Sequence, residues 1–102
     1  MRARTTFLAT VLLTLLSCAV NVPPPTLEHA GGDPRVLEDL TAGRSLYIAK
    51  CSACHGLYSV ERYSDSEWDM QVRKMMTLKK VKLSPEENGR VVRYLQAANG
   101  RD

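Results

Sequence analysis

Residues 51 to 55 read Cys51-Ser52-Ala53-Cys54-His55. Two thiols separated by two residues, with an imidazole directly after the second, suit one piece of chemistry closely. Each thiol adds across one vinyl group of a porphyrin, and the neighbouring imidazole reaches the iron from one face. Three competing uses of the pair fit less well. A thioredoxin-like dithiol sits in a βαβ unit, and no such pattern surrounds these cysteines. A zinc site needs a second ligand pair, which the sequence does not offer. A disulfide between Cys51 and Cys54 leaves His55 without a role. The expectation is therefore one covalently bound haem, attached through Cys51 and Cys54, with His55 as the proximal iron ligand.

Three helical segments are expected to position this motif. The run Thr41–Lys50 leads straight into Cys51, with Thr41 as N-cap and Leu46, Tyr47 and Ile48 giving it an apolar face. A second helix starts at Ser64, where Ser64 and Glu67 form an S-x-x-E capping box. Trp68, Val72, Met75 and Met76 then recur at helical spacing. The third has Ser84 as N-cap, Pro85 at its first position and Glu87 at its third. It runs through Val91, Val92, Leu95 and Ala98, and Asn99-Gly100 closes it. No alternating run long enough for a buried strand occurs, so the expected fold class is all-α.

The first twenty residues are of another kind. Arg2 and Arg4 precede an apolar run from Phe7 to Leu16, the length of a signal-peptide core and too short to cross a bilayer as a helix. Leu15-Leu16-Ser17-Cys18 resembles the lipobox of bacterial lipoproteins, in which cleavage exposes a cysteine that is then acylated. On this reading residues 1–17 are a signal peptide, Cys18 carries the lipid, and several acyl chains anchor the product stably. The alternative is cleavage a little further on, which leaves a soluble periplasmic protein. Residues 18–38, with Pro23-Pro24-Pro25 and Gly31-Gly32, have too little apolar content for a core and read as a tether. His29 falls in it and is expected to be solvated. Residues 39–102 are then the folded domain. The expected location is the periplasmic side of a bacterial membrane.

The residues around the motif resemble the small class I, monohaem cytochromes c. Gly43, Tyr47 and Cys51 match that family's glycine, aromatic and first haem cysteine at intervals of four. Gly56 follows the motif as in the family, and Val91 and Tyr94 match the apolar and aromatic pair of its last helix. The resemblance runs from about Ala42 to Ala98. It implies a small cytochrome c fold of about three helices around one haem c, and a methionine sulfur closing the iron's sixth position. The run Trp68-x-x-x-Val72-x-x-Met75, followed by a basic loop and Leu83-Ser84-Pro85-Glu86-Glu87, is similar to haem domains of bacterial periplasmic oxidoreductases. That similarity implies Met75 as the distal ligand, with Met76 as the alternative. Met70 is out of register with Trp68 and Val72. The chain departs from the family in having no proline between Gly56 and Leu83, so the usual carbonyl partner of the proximal imidazole is missing.

The formal charge is +3, and loss of Arg2 and Arg4 with a leader leaves a mature chain of about +1, which gives no footing for nucleic-acid binding. Arg73, Lys74, Lys79, Lys80 and Lys82 gather near Met75, while Glu61, Asp65, Glu67 and Asp69 precede it. If the basic set rings an exposed haem edge, it steers an acidic redox protein toward the iron. The sequence carries neither an acid-base constellation nor a phosphate loop, so no independent enzyme is expected. The leading expectation is a membrane-anchored one-electron carrier. The rivals are a gas sensor or peroxide-reacting haem protein with an open sixth site, and a haem subunit of a larger oxidoreductase.

Overall fold

A computed structural model of the chain describes residues 20–52, 56–78 and 81–100. Among these it is all-helical: α1 (Pro34–Cys51), a 3₁₀ turn (Val60–Arg62), α2 (Asp65–Leu78) and α3 (Pro85–Ala98), with no strand. No helix among the described residues is long and apolar enough to cross a membrane.

α1 begins earlier than the sequence reading places it. Asp33 is the N-cap, its carboxylate accepting from the Arg35 N–H at 2.9 Å, and Pro34 takes the first helical position. Asp-Pro is a stronger start signal than Thr41, because the aspartate satisfies an orphan N–H while proline has none to satisfy. Thr41 is therefore inside the helix, and its hydroxyl donates to the Leu37 carbonyl at 2.8 Å. Residues 34–38, read as tether, are helical. Gly31 and Gly32, at φ +63° and +85°, close the turn that precedes Asp33.

The other two helices start at their capping boxes. Ser64 N–H donates to Glu67 Oε1 at 3.0 Å and Glu67 N–H to Ser64 Oγ at 3.4 Å. The same reciprocal pair joins Ser84 and Glu87 at 2.9 and 3.1 Å, and Asn99 N–H returns to the Leu95 carbonyl to close α3.

α1 and α3 pack against each other more extensively than any other pair of elements. The crossing is close because Gly43 has no side chain: a Cβ there would run into the Arg90 carbonyl and lie 3.0 Å from Tyr94 Cβ. On the rim of the same crossing, Asp39 takes Arg93 in a two-point contact at 2.7 and 3.0 Å, with Arg90 at 3.4 Å. The hydrogen bond and charge of Arg93, helped by Arg90, hold the Asp39 carboxyl below the usual range. At the far end of α3, Asn99 Nδ2 donates to Asp65 Oδ1 at 2.7 Å and Gln96 Nε2 to the Asp65 carbonyl at 3.0 Å, which ties α3 to the start of α2. The three helices thereby enclose one core of Tyr47, Cys51, Val60, Trp68, Val72, Met75, Val91, Val92, Tyr94 and Leu95.

Candidate haem site

Cys51 is the last residue of α1 and is buried in that core, 3 % exposed. One turn earlier, Tyr47 turns its hydroxyl onto the chain beyond the motif. It donates to the Tyr58 carbonyl at 2.7 Å and accepts from the Tyr58 N–H at 3.1 Å. Burial raises the Tyr47 pKa well above the ordinary tyrosine value, against the lowering influence of the Tyr58 hydrogen bond, so the hydroxyl keeps the proton it donates. Both flanks of the motif are therefore fixed: Cys51 by α1, and Tyr58 by a side chain of that same helix.

Trp68 on α2 completes this frame. Fully buried, it donates from Nε1 to the Val60 carbonyl at 2.8 Å. Its ring meets Tyr63 edge-on with centroids 4.9 Å apart and Tyr47 edge-on at 6.0 Å. Two turns along α2 from Trp68, Met75 enters the same core, 7 % exposed. The Val81 N–H donates to the Met75 carbonyl at 3.2 Å.

The expected site residues are thus distributed as follows. Cys51 and Met75 belong to one apolar core, brought from the end of α1 and the second half of α2. Met76 is half-buried and packs on the edge of that core, whereas Met70 is 54 % exposed. Cys54, His55 and Cys18 lie outside the described residues, as do Lys79 and Lys80. Arg73 is held by Asp69 of its own helix at 3.0 Å. His29 is exposed, and its Nδ1 accepts from the Thr26 N–H at 3.1 Å.

The surroundings of Cys51 fit a porphyrin. A thiol able to form a thioether with a vinyl group and a methionine sulfur able to ligate iron share an apolar core, and Asn99, the buried polar residue among those described, lies outside it at the far end of α3. One buried acceptor is left over: Asn88 Oδ1 has no hydrogen-bond partner among the described residues. It lies one helical turn before Val91 and Val92 of the core.

Sequence reasoning missed the two side chains that hold the frame, Tyr47 toward Tyr58 and Trp68 toward Val60. By spacing alone both count as apolar filling. A buried tyrosine hydroxyl or indole N–H needs a partner, and that requirement was the available signal.

Comparison with known families returned a match over residues 41–101 to the model described as quinohemoprotein amine dehydrogenase A, alpha subunit, haem binding. No curated protein and no solved structure matched the chain.

Proposed function

The chain belongs to the family of the haem-binding domain of the quinohemoprotein amine dehydrogenase alpha subunit, and from that premise we propose that it is a monohaem c-type cytochrome that carries single electrons. The observation that carries this reading is the burial of Cys51, the first cysteine of the C-x-x-C-H motif, in one apolar core with Met75 of α2. When bound, the haem supplies a ferric/ferrous couple. The chain's residues do the rest. The Cys51 and Cys54 thiols each add S–H across a vinyl group to form a thioether. His55 supplies the proximal nitrogen, and Met75, or Met76 at the core edge, the distal sulfur. If His55 and a methionine both held the iron, no position would remain for substrate there, as a carrier requires and a sensor or peroxide-reacting protein does not. The apolar core around Cys51 and Met75 would keep water from a haem held there, which would favour a raised potential.

The proposal extends to location and partner. Acylation at Cys18 anchors the protein on the periplasmic side of a bacterial membrane, and a redox protein with an acidic docking face exchanges electrons with it. The family description names a dehydrogenase subunit, which favours a second reading in which this chain is the haem-bearing component of a larger oxidoreductase. Gentle extraction followed by copurification separates the two: a stable complex with an enzyme supports the subunit reading.

The attachment chemistry is tested by producing the exported protein together with c-type maturation machinery. One haem per chain is expected, retained on a denaturing gel and titrating as a one-electron couple. Cys51→Ala/Cys54→Ala is expected to lose it. A parent protein whose haem is released by denaturant overturns the proposal.

A further inference from the structure

The residues ahead of α1, expected to hang loose, are fastened to the domain. Asn21 is held at three points: its N–H donates to Ser59 Oγ at 3.0 Å, its side-chain amide to Glu61 Oε2 at 2.8 Å, and its carbonyl accepts from the Val60 N–H at 2.9 Å. The next carbonyl, that of Val22, takes a fork from Arg44 of α1, Nε at 3.0 Å and Nη2 at 2.9 Å. The Pro23 carbonyl takes the Tyr94 hydroxyl of α3 at 2.6 Å, and the Val22 side chain packs on the core. Three consecutive residues are therefore bound to the 3₁₀ turn, α1 and α3 in succession.

This docking changes what a lipid at Cys18 can do. Cys18 precedes Asn21 by three residues, and whatever shape they take, three residues span at most about 11 Å. A loose chain as far as Asp33 reaches about 50 Å when extended. The short link brings one particular face to the lipid. Beside Asn21 that face carries Val20, 48 % exposed, and the Ser59–Tyr63 stretch. There the exposed Arg62 guanidinium lies 4.5 Å from the Tyr58 ring centroid and 5.6 Å from that of Tyr63. Tyrosine rings capped by arginine match the headgroup zone of a bilayer, which accepts amphipathic aromatics and binds cations through its phosphates.

The geometry points to a domain that lies directly on the bilayer anchoring it, seated on the Asn21 and Ser59–Arg62 face in one orientation, with no leash between lipid and haem domain. The inference rests on the proposed acylation of Cys18. A domain so held presents its haem at a fixed height and tilt, so its redox partner must meet it at the membrane surface.

The test uses the acylated holoprotein in stacked bilayers of phosphatidylethanolamine and phosphatidylglycerol. The electron paramagnetic resonance spectrum of the ferric haem is recorded as the stack is turned in the field. A seated domain gives a spectrum that changes with angle. Inserting an eight-residue Gly/Ser segment between Ala19 and Val20 adds about 15 Å of mean reach without touching the docked residues, and is expected to abolish the angle dependence. An acylated, membrane-bound parent with an angle-independent spectrum overturns the inference and leaves the anchor standing. So does an insertion variant as well oriented as the parent. A protein whose N-terminal mass shows no acyl group, recovered in the soluble fraction, overturns the anchor and the inference together.

Discussion

Tyr47 binds both the N–H and the carbonyl of Tyr58, so its single hydroxyl closes the chain around the haem motif. Replacing it with phenylalanine keeps the ring against Trp68 and removes the hydroxyl that bonds both Tyr58 backbone groups. We expect Tyr47→Phe to lower stability by about 1 to 3 kcal/mol in guanidinium titrations of the holoprotein. The pH dependence follows from the same burial. Tyr47 and Tyr94 both hold their protons above the ordinary tyrosine value, chiefly because burial disfavours the phenolate. Once unfolded, each titrates near its ordinary pKa of about 10. Above that pH the unfolded chain binds fewer protons than the folded one, so stability is whole below about 10 and falls as pH rises further. Tyr47→Phe is expected to flatten that alkaline decline, and an unchanged slope contradicts the assignment.

At the scale of elements, the α1–α3 crossing depends on one missing side chain. Gly43→Ala gains helix propensity of about 1 kcal/mol but drives a methyl into the Arg90 backbone, where the nearest atoms are main chain and cannot swing aside. We expect a net loss of about 1 to 2 kcal/mol, because overpacking of this kind typically costs 1–3 kcal/mol, rigid backbone lies at the upper end, and the propensity gain offsets part of it. Thermal unfolding of the variant against the parent measures it. The starts of α2 and α3 were legible in the sequence because their signals are local: a serine and a glutamate three apart cap each other whatever surrounds them. The Trp68-Val72-Met75 stripe was legible for the same reason, as a spacing within one helix. The start of α1 was not, because Gly31-Gly32 masked Asp33-Pro34 and the helix's first half buries little besides Leu40. Nor was the docked stretch at Asn21–Pro23, whose carbonyls take hydrogen bonds from Val60, Arg44 and Tyr94. Backbone carbonyls carry no residue signature, so a proline-rich segment reads as linker even when it is bound.

For the molecule as a whole, the apolar core that unites Cys51 with Met75 joins the three helices to the proposed cofactor. Around it the charge is uneven, with basic residues following Met75 along the chain and acidic ones preceding it. Arg73 is engaged by Asp69, which leaves Lys74, Lys79, Lys80 and Lys82 as the candidates for steering a partner. Changing Lys79, Lys80 and Lys82 to glutamine is expected to slow association with an acidic redox partner about tenfold at low salt, and to flatten the salt dependence. An unchanged rate and salt slope in stopped-flow mixing contradicts the docking proposal. The central claim, an electron carrier whose iron is closed by His55 and a methionine, is tested most directly by the near-infrared and visible spectra of the holoprotein, with carbon monoxide added to the reduced form. The account predicts a low-spin spectrum with a sulfur-to-iron charge-transfer band, present in Met76→Ala and absent in Met75→Ala, and no carbon monoxide adduct in the parent. A high-spin parent that binds carbon monoxide readily contradicts it and makes the chain a sensor or a small catalyst.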